Sequence, residues 1–387
     1  MQKIPVETTA KELEDIIGAH LDSKKKLNYA IKIVGHPGIG KSSIVKQTAE
    51  RKNFYFIDTR LAFKENIDLG GYPVPDHNEK KMIYFRPNFI PPETIPKGYN
   101  GIVWFLDEAN RAHPTVIQTL FQIITESRCG EHSLPEKTTI ILAGNLGEDD
   151  MTTITDFEDS ALDGRLALFH LKPNASNWLS WAIQNEIHPT IVEYITLFPE
   201  RLWNETEINP NPRGWHQVSN ALKFAYGLET KKDLENTLKS EQKIIIEKII
   251  ASLSGQSAAD DFVKEILSPR QISTEDILLG NKSKKEEFKN NKISSEDILW
   301  AITSSITNLK SDASATRGNL TKDSLKKLYN VLSFISLSRA DSRIAFFQIL
   351  LRECGLLTKI PEALEFAESE EEKQSIIEKF SDIFNGE

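Results

Sequence analysis

The sequence predicts an α/β fold built on a mostly parallel sheet, followed by a second region that is helical throughout. Short β-rich segments alternate with helical ones up to about residue 172, and helical periodicity alone continues after Pro173. A glycine-rich loop joins the first core strand to the helix that follows it. Because parallel neighbours need crossover connections, this alternation predicts right-handed strand–helix–strand units with helices on both faces of the sheet.

Length and charge limit the classes of protein that fit. The chain has 387 residues, and at about 150 residues per domain it is predicted to hold two or three domains. Its apolar fraction of 39% and charged fraction of 27% are typical of a globular protein with a buried core. Lys and Arg number 47 against 56 Asp and Glu, a net charge of −9 with neutral histidines. This balance argues against coating nucleic acid or an anionic membrane, although it is compatible with a local basic groove.

Cysteine usage and hydropathy indicate a cytoplasmic protein. The two cysteines, Cys129 and Cys354, have neither metal-site nor redox spacing, which favours a reducing compartment. The amino terminus has no apolar signal core, and no apolar run approaches the ~18 residues of a membrane span. We therefore predict no membrane partner.

The predicted elements begin with a helix over Thr9–Leu21, where a threonine cap precedes apolar residues at helical spacing. Five β-rich segments of four to six residues follow, each bounded by Gly, Asp, Asn or Pro. They are Tyr29–Val34, Phe54–Ile57, Ile102–Leu106, Thr139–Ala143 and Ala167–Leu171. The clearest helices between them are Lys41–Arg51 and Pro114–Ser127.

Two kinds of connection interrupt this pattern. Residues 60–97 contain six prolines and a Gly70-Gly71 pair, which predict an insertion of short elements and loops because prolines break helices. In the helical region, the polar segments Asn281–Asn291 and Lys310–Asn319 are predicted to be flexible connections.

The strongest functional motif is Gly35–Ser42, which fits the phosphate-loop pattern G-x-x-x-x-G-K-[ST] between a predicted strand and a predicted helix. Its glycines let successive backbone N–H groups face phosphate oxygens, and the helix amino terminus adds positive potential. Lys41 is expected to reach the β- and γ-phosphates and Ser42 to ligate Mg²⁺. The predicted nucleotide-binding residues are Gly35, Pro37, Gly38, Ile39, Gly40, Lys41, Ser42 and Ser43.

A second acidic site follows the strand Ile102–Leu106. Asp107 is predicted to hold the magnesium shell, and Glu108 to orient and polarise the attacking water. Acids at a strand end are also common helix caps, but behind a phosphate loop the functional interpretation is favoured.

Two later residues complete the candidate set. Asn145 follows the strand at Thr138–Ala143 and is expected to contact the γ-phosphate or water, the alternative being a turn former. Arg165 precedes the last strand and is expected either to act as a helix C-cap charge or to reach a neighbouring subunit as an arginine finger.

As an ordered set, these motifs resemble the AAA+ ATPases and, among them, the MoxR-like group. The resemblance covers about residues 28–222, and more weakly 255–262. It assigns Gly35–Ser42 as Walker A and Asp107-Glu108, with the Asn110-Arg111 extension, as Walker B. Asn145 corresponds to sensor 1, Arg165 to the arginine finger and Pro212-Arg213 to sensor 2. Residues 60–97 fit the helix-2 insert and residues 129–137 the pre-sensor hairpin.

The resemblance implies a nucleotide-binding core over 1–172, a helical lid over 173–270 and a helical extension over 271–387. It also implies a ring, usually a hexamer, that binds ATP and Mg²⁺ between subunits and remodels a protein partner. Partners in this group often carry a von Willebrand A or metallopeptidase-like domain. The chain departs from the family in Gly164-Arg165-Leu166 where Asp-Arg-Phe is common, and in Asn211-Pro212-Arg213-Gly214 where Ser-Pro-Arg-Ala is usual. The sequence leaves open whether Arg213 contacts ATP of its own subunit or of a neighbour.

Two other functions stay open at this point. One is a nucleotide-gated scaffold in which ATP binding controls assembly and hydrolysis is incidental. The other is the motor of a nucleic-acid-processing or antiviral defence complex, as in the related McrB-type NTPases, which the net charge of −9 disfavours.

Overall fold

The computed structural model describes residues 4–25, 27–146, 162, 164–204, 209–268, 270–315, 320–347 and 355–384. Cys354 and residues 316–319 of the second predicted connection lie outside this part. The chain divides into two compact units, Met1–Asn174 and Ala175–Glu387. No helix in the described ranges is long and apolar enough to cross a membrane.

The first unit contains ten described strands. They are β1 (Val6–Thr8), β2 (Ala30–Val34), β3 (Tyr55–Arg60), β4 (Tyr72–Asp76), β5 (Lys81–Phe85), β6 (Ile102–Asp107), β7 (Arg128–Cys129), β8 (His132–Ser133), β9 (Thr138–Gly144) and β10 (Leu166–Leu171). Six of them form one sheet in the order β1-β10-β2-β9-β6-β3, with every neighbouring pair parallel. The prediction of an α/β fold with a parallel sheet is confirmed.

Helices cover both faces of this sheet. The described ones are α1 (Ala10–Leu21), α2 (Lys41–Arg51), α3 (Asn66–Gly70) and α4 (Pro114–Glu126). Leu13 of α1 and Val45 of α2 pack with Ile31 of β2 in one buried cluster. Leu120 of α4 packs with Trp104 of β6 in the other. Central strands with apolar side chains on both faces therefore lie between two helical layers, which explains why β6 is buried along its length up to Leu106.

The edge strand β1 was absent from the predicted elements. It pairs three residues with β10, from Val6 opposite Phe169 to Thr8 opposite Leu171. A strand of three residues is too short to show the alternation of apolar and polar side chains by which strands are predicted. The start of the following helix, α1, is clearly marked in the sequence. Thr9 caps α1 through a capping box with Glu12, because each side chain accepts from the other residue's backbone N–H.

The inserted segment folds outside the main sheet. After a short 3₁₀ turn at Leu61–Phe63, β4 and β5 form an antiparallel two-stranded sheet closed by a turn between Asp76 and Lys81. Further along the chain, β7 and β8 form a second antiparallel pair.

The described secondary-structure elements of the second unit are all helices. Its α-helices are α5 (Ala175–Gln184), α6 (Pro189–Leu197), α7 (Pro212–Asn220), α8 (Lys231–Leu238), α9 (Lys243–Ser254), α10 (Gln256–Leu267), α11 (Thr274–Leu278), α12 (Lys282–Lys289), α13 (Ser295–Ala315), α14 (Lys322–Ile335), α15 (Ala340–Ala345), α16 (Ile360–Leu364) and α17 (Glu370–Phe384). Its core includes Tyr194, Trp215 and Phe262, whose rings lie 5.1–5.5 Å apart. Trp215 is therefore a packing residue, since its ring is fully buried.

The prediction that Asn281–Asn291 is a flexible connection is wrong. Residues 282–289 form α12, because the Asn281 side chain accepts from the backbone N–H groups of Ser283 and Lys284. Lys285 then pairs with Glu372 of α17 at 2.9 Å. The second predicted connection is also helical over residues 310–315, which continue α13. The polar composition of Asn281–Asn291 hid α12, in which Phe288 is the apolar residue that packs against the core.

Candidate nucleotide-binding site

The candidate residues of the first unit meet at the carboxyl edge of the parallel sheet. Strand β9 lies between β2 and β6, so the segments that follow these three strands are neighbours. The phosphate loop follows β2, Glu108 follows β6, and Asn145 follows β9. Crevices outside the carboxyl ends of parallel strands are where α/β proteins bind ligands.

Backbone conformation explains the loop's glycines. Gly38 and Gly40 have φ of 84° and 101°, a region that side-chain-bearing residues rarely adopt. A Cβ at Gly35 would lie 2.6 Å from Ile39 Cδ1 and 2.9 Å from the Leu171 carbonyl oxygen. By contrast, a Cβ at Gly40 would meet nothing within 4 Å. The loop is closely packed at its start and open where a phosphate would approach.

The amino terminus of α2 faces this open part of the loop. Gly40 is its N-cap, no side chain caps its first turn, and that turn holds no acidic residue. Such a terminus presents backbone N–H groups and positive potential to an anion. Ser43 lies exposed in the same turn, Pro37 is half-buried, and Ile39 is buried against the cluster beneath α1 and α2.

Lys41 is held at the centre of the site with only 8% of its surface exposed. Its Nζ donates to the carbonyl oxygens of Gly35 at 2.5 Å and His36 at 3.0 Å. It also donates to Asn145 Oδ1 at 3.0 Å. These oxygens hold a buried ammonium in place beside the open loop, which suits a group that is to meet phosphate oxygens.

Ser42 and Asp107 supply the oxygen atoms that a divalent cation prefers. Ser42 Oγ donates to Asp107 Oδ2 at 3.3 Å, across 65 positions of sequence. Asp58 of the neighbouring strand β3 interacts electrostatically with the Asp107 carboxylate. Burial and then the charge of Asp107 raise the pKa of Asp58. Hard oxygen ligands and local negative charge fit Mg²⁺, which takes one or two carboxylates together with substrate phosphates.

Glu108 occupies a strained backbone position. Its φ of 54° and ψ of 36° are left-handed, a conformation costing about 1 kcal/mol or more for a residue that is not glycine. Its backbone is fixed from both sides, since its N–H donates to Asp107 Oδ1 at 2.9 Å and its carbonyl accepts from Arg111 N at 2.9 Å. Its Oε2 is buried without a hydrogen bond and lies 3.7 Å from Arg111 Nη1. A carboxylate oxygen with an unused acceptor position suits a water-orienting role.

Asn110, which the sequence places in the Asn110-Arg111 extension without predicting a role for it, is a positioning residue. Its Nδ2 donates to the Asn145 carbonyl oxygen at 2.5 Å, and its Oδ1 accepts from Asn145 N at 3.2 Å. The Asn110 side-chain amide thus pairs with both the N–H and the C=O of Asn145, as the backbone of a neighbouring strand would. Gly144 is needed beside it, because a Cβ there would lie 2.5 Å from Asn110 Oδ1. The sequence signal for Asn110 was its place in the extension after Glu108, which does not show that its partner is Asn145.

Arg165 lies at the opposite edge of the sheet from the phosphate loop. Leu166, which follows it, pairs with Ala30 at the start of β2, whereas the loop follows the end of that strand. At about 3.3 Å per residue, the strand separates the two by roughly 16 Å. The Arg165 guanidinium stacks 4.5 Å from the centroid of the Phe121 ring of α4. Arg165 is therefore not part of the site on its own sheet's carboxyl edge.

Arg213 belongs to the second unit. It is exposed at the second position of α7, whose N-cap Asn211 accepts from Gly214 N at 2.8 Å. A Cβ at Gly214 would lie 2.5 Å from the Leu253 carbonyl oxygen, which explains why glycine follows the arginine here.

Comparisons with known proteins give structural likeness only. The chain matches no protein-family model, and no curated protein matches it. Solved structures do match: a point mutant of Thermotoga maritima RuvB is 15% identical, with a TM-score of 0.35 over 89% of this chain and 86% of that one. NtrX from Brucella abortus in complex with ADP is 11% identical, with a TM-score of 0.31 over 83% of this chain and 68% of that one. Neither likeness bears on what the site does.

Proposed function

We propose that this chain is a magnesium-dependent ATP hydrolase of the AAA+ class, with a MoxR-like role in remodelling a protein partner. One observation carries the proposal. Lys41, the Ser42–Asp107 pair and Asn145 converge at the loop between β2 and α2. A buried ammonium, a cation-binding oxygen pair and an open helix terminus together suit a nucleoside triphosphate.

The residues present fit the substrate's phosphates. Gly38 and Gly40 allow the loop backbone to turn its N–H groups towards a phosphate, and the space above Gly40 is open. Lys41 is already held in place by carbonyl and amide oxygens. It can exchange these bonds for stronger ones to charged phosphate oxygens. ATP binding would therefore free Asn145 Oδ1.

Ser42 and Asp107 would hold Mg²⁺. When bound, this cation neutralises charge on the β- and γ-phosphates. Glu108 would accept a hydrogen bond from the attacking water through its carboxylate, whose Oε2 is buried without a hydrogen bond. Its left-handed backbone ends the line of β6 at this residue. The two hydrogen bonds from the Asn110 side chain fix the backbone of Asn145, whose side-chain amide would contact the water or the γ-phosphate.

A neighbouring subunit would complete the site. Arg165 lies a strand length away from the loop of its own sheet, so it can act on the γ-phosphate only of an adjacent subunit. This arrangement favours a ring, and we propose a hexamer. Arg213 of the lid would add a second charge, and a partner with a von Willebrand A or metallopeptidase-like domain would be the client.

The experiment that tests the proposal separates binding from hydrolysis. Lys41→Ala should abolish binding of a fluorescent ATP analogue, because it removes the buried ammonium. Glu108→Gln should bind the analogue normally but lower kcat at least ~100-fold, the size of a general-base contribution. Glu126→Gln, an exposed glutamate at the end of α4, is the matched control and should behave as the wild type. Full turnover by Glu108→Gln would contradict the mechanism, whereas loss of turnover with client remodelling retained would favour a scaffold.

A further inference from the structure

The hairpin β4–β5 exposes apolar side chains on both of its faces. All five residues of β5 are exposed, including Met82 at 51% and Phe85 at 59%. Successive side chains of a strand point to opposite faces, so Met82 and Tyr84 share one face while Ile83 and Phe85 share the other. None of the hairpin's residues belongs to the buried clusters of the described chain. A two-stranded hairpin without a covered face is marginally stable, which favours a partner that covers it.

The two outer edges of this hairpin differ chemically. Pro73 pairs with Tyr84, and Pro75 pairs with Met82. A proline has no N–H to give to a ladder, so these are the pairs whose backbone groups face away from the partner strand. The outer edge of β4 therefore offers carbonyl groups but no donors at these positions. Prolines of this kind are how natural sheets block strand addition.

The outer edge of β5 is open. The N–H and C=O groups of Met82 and Tyr84 point away from β4, because these residues are opposite the prolines. In the described chain, β5 pairs with β4 alone. One edge is thus blocked and the other presents alternating donors and acceptors at strand spacing, flanked by apolar side chains.

We propose that β5 is a strand-addition site for an extended, apolar-rich polypeptide segment of the client. An extended backbone carries donors and acceptors at the same spacing, so it can pair with both the outward N–H and the outward C=O groups of β5. A nucleic acid could stack on Tyr84 or Phe85, but its phosphates accept hydrogen bonds and cannot donate to the carbonyls. Side chains of the added strand would lie on both faces of the hairpin, where Met82, Ile83, Tyr84 and Phe85 are exposed.

The inference rests on the proposed function, since it treats the bound segment as a client. Binding is measured on the full-length protein with a fluorescein-labelled decapeptide of alternating valine and threonine. We expect saturable binding, and we expect it to be lost when the six central residues of the peptide are N-methylated. N-methylation removes the backbone donors of both peptide edges and leaves the protein and the side chains unchanged.

A matched pair of variants tests the edge itself. Met82→Ala and Met82→Pro remove the same side chain, but only proline removes the outward N–H and leaves the β4–β5 bonds intact. Met82→Pro should bind the peptide about tenfold more weakly than Met82→Ala, the effect of losing a hydrogen bond at a paired edge. Circular dichroism and thermal unfolding should be the same for both variants, because Met82 reaches no buried cluster.

Several outcomes would overturn the inference. They are equal binding by the two Met82 variants, undiminished binding of the N-methylated peptide, and competition by an oligothymidylate. A dimer abolished by Met82→Pro would show that the edge pairs with a second copy instead. Binding of an ATP analogue to the wild type is measured in parallel. If the wild type binds the ATP analogue but not the peptide, this inference alone is contradicted. If it does not bind the ATP analogue, the proposed function is contradicted whether or not the peptide binds.

Discussion

At the scale of single residues, Asn110 shows how a side chain outside the reacting set can control it. Its amide makes two hydrogen bonds to the backbone of Asn145, 35 positions away in sequence. Asn145 in turn contacts Lys41. The position of Asn145 thus depends on a residue in the turn after Glu108, so Glu108 and Asn145 are positioned together.

We predict that Asn110→Ala lowers kcat for ATP hydrolysis about tenfold with little change in KM. The variant removes two hydrogen bonds that place Asn145 but leaves the phosphate loop untouched. Steady-state kinetics at saturating Mg²⁺ would measure the split, with Asn290→Ala as an exposed control in the second unit. A rise in KM without a fall in kcat would contradict a positioning role.

A second residue-scale effect concerns His188 in the second unit. It is the N-cap of α6, where Nδ1 accepts from Thr190 N at 3.2 Å, and it is fully buried. Burial, and then the charge of Lys223, lower the pKa of His188 from its ordinary value of 6.5 to about 4. Between pH 4 and pH 6.5, His188 is therefore neutral in the folded protein but protonated in the unfolded chain.

Stability is accordingly predicted to fall as the pH drops from about 6.5 towards 4, by up to roughly 3 kcal/mol from this residue. His188→Asn should reduce that pH dependence, since asparagine can cap the helix but does not titrate in this range. Urea denaturation at pH 7 and pH 5 would measure the difference, with the exposed His77→Asn as the control. An unchanged pH dependence in His188→Asn would refute the assignment.

At the scale of elements, α12 shows that a polar segment can be ordered by its ends and its neighbours. None of its residues is buried. Asn281 caps the helix and donates to Asp276 Oδ1 at 2.7 Å, which ties its start to α11. Lys285 and Lys282 pair with Glu372 and Glu368 near the start of α17. A cap, ion pairs and the packing of Phe288 against the core replace the wider apolar stripe that sequence patterns detect.

Asn281→Ala is predicted to destabilise the second unit by about 1 kcal/mol, the usual contribution of an N-cap side chain. The measurement is the shift in the midpoint of urea denaturation. Asn290→Ala, at the exposed end of the same helix, should shift it much less. Equal shifts for both variants would mean that the cap does not order the helix.

At the scale of the whole molecule, the parallel sheet separates two groups of candidate catalytic residues. Strands that all run the same way place the phosphate loop, Glu108 and Asn145 at one edge and Arg165 at the other. A single subunit cannot bring both edges to one nucleotide. Under the proposed function, the catalytic unit is therefore the contact between two copies.

Mixing two inactive variants tests this. Glu108→Gln retains Arg165, and Arg165→Ala retains Glu108, so only a mixed interface can contain both groups. A 1:1 mixture should recover about a quarter of wild-type turnover if subunits exchange at random. Phe121→Leu, which removes the stacking partner but keeps the guanidinium, should stay active on its own. No recovery in mixtures that form rings would contradict a shared site.

Much of this protein was predictable from local sequence. The phosphate loop is local, because Gly38 and Gly40 allow its backbone and the Lys41 contacts to Gly35 and His36 span six and five positions. The alternation of strands and helices, and the helical second unit, follow from hydrophobic period. The three-residue strand β1 and the polar helix α12 were missed because neither carries a periodic signal long enough to detect.

The sequence by itself determined which functional groups are present, namely a phosphate loop and two acids after a buried strand. It also determined that a helical region follows the sheet. Only the tertiary structure decided which of these groups meet. Lys41 reaches Asn145 across 104 positions and Ser42 reaches Asp107 across 65, while Arg165 lies at the far edge. Strand order sets these distances, and strand order depends on packing between distant segments. Local propensity cannot encode it.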